Sequence, residues 1–337
     1  MKKIRIAGPP GTGKTTTLVH KYYELLETYS PINIQLISHT NAASDHLREQ
    51  IKSPESIEAY CKENKTDLEL LKIIQESKKT LDDHVSTIHT FCKNKITGKA
   101  FLIEDYEILI NLFPLFNKFT RERNFKSIDS LFKFHPFFEY MSRSRDHGKS
   151  FYDFYKELSF EEKDHYKYTL DELERLYASY NSFKTNQKVN LRTAKILDFQ
   201  DMIEDFAGSQ EAQDQCRNIK VLIIDEAQDS SVVQRKAEAS MSKNVDLFYK
   251  AGDPDQSIFE FSGADPDSFH KEFAHPEIEL TQGYRCPRTV NEYCKGIIKP
   301  VWDHYGYTRE WLPKEGVEGA IYELSNLHQD PYLEDLD

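Results

Sequence analysis

Gly8, Pro9, Pro10, Gly11, Thr12, Gly13, Lys14 and Thr15 run consecutively as G-x-x-x-x-G-K-[ST], and their setting decides the fold. The apolar residues Ile4, Ile6 and Ala7 come just before, and Leu18, Val19, Tyr22, Tyr23, Leu25 and Leu26 follow at helical spacing. The pattern therefore predicts a strand, a glycine-rich turn and a helix in succession. Glycine lets such a turn point its N–H groups inward, and the helix presents its positive end to the same place. Lys14 then reaches the outer phosphates of a triphosphate, and Thr15 ligates its magnesium, with Thr16 beside them. A Gly-Pro turn without a ligand is the competing reading, which so long a match in this setting outweighs.

The loop alone does not say which machine hydrolysis would drive, since AAA+ ATPases, small kinases and helicases carry similar ones. A chain of 337 residues allows two or three packed units. With 30% charged and 39% hydrophobic residues it falls in the globular class. No apolar run approaches a membrane span, and the start around Lys2 and Lys3 lacks a signal-peptide core, so no membrane partner and a cytoplasmic location are expected. The five cysteines are odd in number and form no C-x-x-C pair, which suggests neither a disulfide framework nor a zinc site. A net charge of −12 argues against coating nucleic acid by bulk attraction. It leaves room for a local groove with stacking rings.

Along the chain, Ile32, Ile34, Leu36 and Ile37 read as a buried strand after Ser30-Pro31. The strand ends at His39, Thr40 and Asn41, where an open α/β sheet binds its ligands. Residues 55 to 80 suggest one or two amphipathic helices with Leu68, Leu71 and Ile74 buried. Val85 to Cys92 reads as a short strand leading into a loop, with Thr87, His89 and Phe91 alternating against apolar neighbours. From about Lys93 to Lys195 Phe and Tyr are dense and charges fall at helical spacing. Leu112, Phe113, Leu115, Phe116 and Phe119, then Leu170, Leu173, Leu176 and Tyr177, are expected to form the core of a small helical unit. Within it, Ser142 to Lys149 reads as a polar, basic turn in solvent.

Asp198 to Ile203 opens a helix returning to the first unit. Val221, Leu222, Ile223 and Ile224 then predict a central strand covered on both faces. Asp225 and Glu226 follow it, and two adjacent carboxylates there are costly without a cation. Asp225 is expected to hold the magnesium shell and Glu226 to polarise the attacking water. A further strand around Val245 to Tyr249 delivers Gln256, close in sequence to Phe259 and Phe261. An amide able to sense a γ-phosphate beside rings able to stack on bases is what a translocating motor requires. Tyr284 and Arg285 place a ring beside a guanidinium suited to a phosphoryl group. Trp311 to Tyr322 suggests one more strand.

Taken together these stretches resemble the front part of a superfamily 1 DNA helicase of the UvrD/Rep/PcrA type. GPPGTGKT matches motif I, SHTNAA resembles motif Ia, TIHTFC motif Ib and DFQDMI the DFDDLL stretch. IIDEAQD matches motif II, GDPDQSIFEFSGAD motif III, and GYRCP stands for the NYRS of motif IV. The resemblance implies that Gln256 and Arg285 touch the γ-phosphate of ATP and that Tyr284 stacks on its base. It also implies DNA contacts from His39, Thr40, Asn41, Thr87, His89, Phe259 and Phe261. Phe261 replaces a usual Trp, His39 a usual Phe, and Thr16 a frequent Arg. No Gln precedes the loop to read adenine, and motifs V and VI do not follow; Thr308-Arg309-Glu310 is a chance likeness to motif VI.

The expected fold is α/β: a RecA-like P-loop NTPase parallel sheet with an inserted helical subdomain and the start of a second RecA-like domain. Residues 1–92 and 195–280 form the motor domain, 93–194 the insertion, and 281–337 an incomplete second motor domain. The expected function is an ATP-dependent, Mg2+-requiring DNA helicase, 3′ to 5′ in its complete form, acting on single-stranded DNA or a single-strand/duplex junction. This stretch alone is expected to bind nucleotide and DNA without unwinding. The alternative is a nucleotide-dependent DNA-binding adaptor that works with a nuclease or a replication or repair partner. RNA is not distinguished from DNA by any residue.

Overall fold

The structure is a computed structural model that describes residues 1–64, 68–96, 100–102, 135–185, 187–189, 192–258 and 263–321. Its centre is built from six strands: β1 (Lys2–Ala7), β2 (Ile34–Ser38), β3 (Val85–Thr87), β7 (Val221–Ile224), β8 (Leu247–Gly252) and β9 (Ile278–Glu279). They form an all-parallel sheet in the order β3-β2-β7-β8-β1-β9. One sheet is thus assembled from two stretches of chain separated by more than a hundred residues. The apolar run Val221 to Ile224 lies between β2 and β8 with all four residues buried. Because side chains alternate along a strand, Val221 and Ile223 join one apolar layer while Leu222 and Ile224 join the other.

Helix Lys14–Leu25 covers the first face, burying Leu18, Val19, Tyr22 and Tyr23. Helices Ile88–Lys95, Phe199–Gly208 and Val232–Met241 cover the second, with Phe91, Phe206 and Val233 inside. A separate aromatic core joins helices Pro136–Asp146, Phe151–Glu157, Phe160–Tyr166 and Leu170–Thr185. There Tyr140 meets Phe151, Phe154 and Tyr166 edge-on at centroid distances of 5.1, 5.3 and 5.2 Å. Leu173 and Tyr180 are fully buried in this core, so its rings serve packing. The stretch Leu112 to Phe119 lies outside the described residues.

Several local expectations need correction. Ile32 sits in a short 3-10 turn, Pro31–Asn33, and is exposed, because Pro31 fixes a turn that delays the strand to Ile34. In helix Leu68–Ser77 the buried apolar positions among those described are Leu70 and Ile74, while Leu71 is only half-buried. Helix Ile88–Lys95 starts immediately after β3, with the Thr87 hydroxyl capping it by accepting from Thr90 N at 3.3 Å; His89 and Phe91 are helical. The insertion is not wholly helical: β4 (Ala100–Leu102), β5 (Gln187–Val189) and β6 (Arg192–Leu197) form a second sheet in the order β4-β6-β5.

The basic turn is the largest discrepancy. Ser142 to Asp146 are the last turn of helix Pro136–Asp146, and Arg145 is buried. Its guanidinium bonds Asp198 at 3.1 Å, Asp201 at 2.8 Å and Glu204 at 2.8 Å, while Lys184 bonds Asp198 at 2.8 Å and Asp201 at 2.6 Å. Asp198 and Asp201 also form the capping box of helix Phe199–Gly208, so the start of that helix is fastened to the aromatic unit. Between Trp311 and Ile321 the described residues hold no strand; Leu312 makes only an isolated bridge to Gln282.

Candidate functional site

The glycine-rich turn follows β1 and ends on helix Lys14–Leu25, with Gly11 at φ 73° and Gly13 at φ 86°. Both lie in the left-handed region that a side chain disfavours, and Gly13 is the residue from which the helix starts. A side chain at Gly11 would also collide with Arg285 Cβ at 2.7 Å. Lys14 is buried, with Nζ donating to the carbonyls of Gly8 at 2.8 Å and Pro9 at 3.4 Å. Thr12 closes the turn by donating to Pro9 O at 2.8 Å. Pro10 lies within the turn and Thr16 is exposed on the first turn of the helix.

Asp225 follows β7 beside this loop, and its Oδ2 accepts from Thr15 Oγ1 at 3.3 Å. Burial, reinforced by neighbouring Glu226, pushes the Asp225 carboxyl up to about 6, although the Glu226 N–H, Lys14 and Thr15 pull the other way. A hydroxyl and one carboxylate suit a small hard cation that keeps several waters and takes its remaining ligands from phosphate. Among the described residues no set of three or more acidic, His or Cys side chains is gathered to cage a metal. The donors therefore fit Mg2+ arriving with a nucleotide.

Glu226 adopts φ 52°, ψ 40°, one of two non-glycine residues with positive φ among those described. Such backbone strain costs about 1–3 kcal/mol and persists where the surroundings enforce it. Here the turn is held because the Glu226 side chain accepts from Gln228 Nε2 at 2.8 Å and its N–H donates to Asp225 at 3.0 Å. Gln228 Oε1 accepts from Asp253 N at 3.2 Å. Asp253, fully buried just after β8, accepts from Gln256 Nε2 at 2.5 Å and from Asp255 N at 3.1 Å. Burial pushes its carboxyl up to about 6, opposed by Lys14. A polar chain thus runs from Glu226 to Gln256 across two strands. Sequence reasoning missed Gln228 and Asp253 as members of this chain; the signal for Asp253 is its place before Pro254, at the start of the short turn Pro254–Gln256.

Tyr284 and Arg285 reach the same loop from the other side. Tyr284 N donates to Gly11 O at 2.9 Å, its ring passes near Gly13, and Arg285 packs on Gly11; Tyr284 remains largely exposed. The structure thus brings Lys14 and Thr15 beside Asp225 and sets Tyr284 and Arg285 on the same loop, while Glu226 and Gln256 are joined through Gln228 and Asp253 at the carboxyl ends of β7 and β8.

His39, at the end of β2, does not present its ring freely to solvent. Its Nε2 lies 3.0 Å from Ser230 Oγ, which in turn donates to the buried Glu238 carboxylate at 2.6 Å. Burial lowers the His39 pKa, favouring the neutral imidazole. His89 stands near it, is held edge-on to Phe199 at 5.7 Å, and is pushed down to about 4 by burial. Thr40 caps helix Asn41–Lys52 by accepting from Ala43 N at 3.1 Å, and both Thr40 and Asn41 are exposed. A cavity of about 440 Å³ is lined by Ser38, His39 and Thr40 together with Glu226, Asp229 and Gln256. Phe259 and Phe261 lie outside the described residues.

A family model for the UvrD/REP helicase N-terminal domain matches residues 1–275. A probable DNA helicase II homolog of Mycoplasma capricolum is 24% identical over 318 residues, 88% of this chain and 39% of that protein. The ATP-dependent DNA helicase PcrA of Staphylococcus aureus is 26% identical over 314 residues, 88% of this chain and 38% of that protein. An ATP-dependent helicase/nuclease component of Lactobacillus helveticus is 28% identical over 171 residues, covering 46% of this chain and 14% of that protein. The chain spans 39% and 38% of the length of the first two relatives.

Proposed function

This chain belongs to the UvrD/REP helicase family, and on that premise we propose that it binds Mg-ATP at the glycine-rich loop and couples its hydrolysis to a grip on single-stranded DNA. The observation that carries the reading is the polar chain from Asp225 and Glu226 through Gln228 and Asp253 to Gln256, because Glu226 and Gln256 also line a cavity with His39 and Thr40. A change at the nucleotide would reach the strand-binding side along that chain. Lys14, with Gly8 to Thr16, would cradle the phosphates, and Thr15 and Asp225 would hold Mg2+. The bound cation would neutralise charge on the phosphate oxygens. Glu226 takes the proton of the attacking water, Gln256 and Arg285 meet the γ-phosphate, and Tyr284 covers the base.

On the DNA side the reading assigns His39, Thr40, Asn41, Thr87 and His89, together with Phe259 and Phe261. Thr87 and Thr40 already serve as helix caps; Thr40 is exposed at its helix start and would meet DNA directly, whereas Thr87 is buried and would act by fixing the start of the helix that carries His89. Residues 1–92 and 195–280 would constitute the motor domain, 93–194 an insertion, and 281 onward part of the opposing wall. Translocation from 3′ to 5′ and action at a single-strand/duplex junction belong to the same proposal. A nuclease-associated role is the second reading, favoured by the match to a helicase/nuclease component.

The test is Mg-ATP hydrolysis by the purified chain with and without single-stranded DNA. Stimulation by DNA supports the motor; nucleotide binding indifferent to DNA, with a nuclease retained in pull-down, supports the second reading. Glu226→Gln should keep nucleotide binding and lower turnover about 10²- to 10⁴-fold, the usual contribution of a general base. Unchanged turnover would remove Glu226 from that role.

A further inference from the structure

The turn that carries Gln256 is fastened from outside the nucleotide site. Asp255 Oδ2 accepts from Trp302 Nε1 at 2.7 Å, and Asp255 Oδ1 accepts from Tyr307 OH at 3.2 Å. Both partners come from the far end of helix Arg288–Tyr305 and the residues just after it. Trp302 is buried, so its N–H has no water to replace Asp255. The Tyr307 hydroxyl, having given its proton to Asp255, accepts from His270 Nδ1. His270 lies under the Tyr305 ring at a centroid distance of 3.8 Å, and Arg309 extends over Tyr307 and donates to Phe273 O at 3.0 Å. The Arg309 environment is thus packing against helix Pro266–Phe273.

The near end of the same helix begins after Cys286 and Pro287, just beyond Tyr284 and Arg285, which rest on Gly11 of the glycine-rich loop. One helix therefore touches the phosphate loop through the residues before it and the Gln256 turn through Trp302. Asp255 is one residue from Gln256, and its N–H is tied to the same Asp253 that holds the Gln256 amide. Helix Arg288–Tyr305, 18 residues long with Pro300 inside its last two turns, thus connects the contact on the phosphate loop with the contact on the Gln256 turn.

We propose that Asp255 and Trp302 are positioning residues: their hydrogen bond makes helix Arg288–Tyr305 a strut that sets where Gln256 stands relative to the phosphate loop. The proposal rests on the nucleotide reading above and adds residues that touch neither phosphate nor base. A bond that only pinned the helix would alter melting temperature and leave the chemistry of bound nucleotide alone. A strut alters turnover at fixed nucleotide affinity.

Three variants and one optical probe test it in the full chain. Trp302→Phe keeps the ring and removes only the donor. Asp255→Ala removes both acceptors, and Asp255→Asn retains an acceptor for Trp302. The sequence contains two tryptophans, so in a Trp311→Phe background the emission of Trp302 reports its own hydrogen bond. With a non-hydrolysable ATP analogue and Mg2+, that emission should shift, and the shift should be lost in Asp255→Ala. Turnover should fall about 10-fold in Trp302→Phe and Asp255→Ala, with nucleotide affinity within about twofold, and Asp255→Asn should recover most of the loss. If calorimetry shows the analogue bound while Trp302 emission stays constant and Trp302→Phe turns over normally, the strut is overturned. If calorimetry shows no binding at all, the nucleotide reading itself has failed, and the strut with it.

Discussion

Two acidic clusters in this chain have opposite electrostatics. Around Asp198 and Asp201, burial opposes ionisation, yet Arg145 and Lys184 outweigh it and hold the Asp198 carboxyl below its ordinary range. Around Asp225, burial and Glu226 push the carboxyl up to about 6, and the Glu226 N–H, Lys14 and Thr15 only partly compensate. Asp229 and Asp253 behave likewise, raised by burial to about 7 and about 6. The first cluster is a finished ion network and joins two units of the fold. The second is short of positive charge, which is the electrostatics that the proposed Mg-nucleotide site requires.

The largest expected effect separates the two by stability. Removing Arg145 leaves Asp198 and Asp201 buried with Lys184 as their remaining cation, and Arg145→Ala should cost about 3–5 kcal/mol in denaturant unfolding. An unfolding free energy changed by less than about 1 kcal/mol would mean that solvent already screens this cluster.

Both clusters stand out in the sequence as acid-rich stretches, DFQD and DEAQD, but only one can be read through. The apolar run before Asp225 reveals its strand, its central place and its buried carboxylate, because four consecutive apolar residues fit only a doubly covered strand. Nothing local to Asp198 tells that its partners are Arg145 and Lys184, which are 53 and 14 residues away. Long-range pairing of that kind has no period for sequence to show. The same holds for β4, β5 and β6, for His39 turned onto Ser230, and for Asp255 meeting Trp302 across 47 residues. Thr87 is a different case: alternation extends its strand to Phe91, whereas the Thr-x-x-Thr spacing already carries the signal for its cap on the next helix.

A second, smaller effect has the opposite sign. Asp225→Asn removes a buried charge in a cluster short of cations, and should stabilise the chain by about 1–3 kcal/mol at pH 7. The native carboxyl holds its proton up to about pH 6, whereas in the unfolded chain it is lost near 3.8. Stability contributed by Asp225 therefore falls as pH rises between those values, and the cost is fully present above them. Asp198, depressed in the native state, contributes stability above its unfolded value and loses it as pH falls further. The buried His39 and His89, both depressed, act with the opposite sign over the same range, so the comparison between the two chains isolates Asp225. Thermal melts should show Asp225→Asn more stable than the unsubstituted chain at about pH 7, and that advantage shrinking as pH falls from about 6 to about 4. A difference that does not change with pH would contradict the assignment of uncompensated charge.

The smallest expected effect concerns the cation already in the deficient cluster. Lys14 is buried like Arg145, yet its Nζ bonds two backbone carbonyls and, among the described residues, no carboxylate. Lys14→Met gives up those two hydrogen bonds and the attraction to the Asp225 and Asp253 carboxyls, but also removes the cost of burying an ammonium group. These contributions nearly offset, and the unfolding free energy should move by about 1 kcal/mol or less. Affinity for Mg-ATP should nevertheless be lost, measured by calorimetry on the same sample. A large destabilisation would show that the attraction of Lys14 for Asp225 and Asp253 dominates in the fold, and the contrast with Arg145 would then be one of degree. A folded chain that no longer binds nucleotide would show that Lys14 is needed for the phosphates more than for the fold.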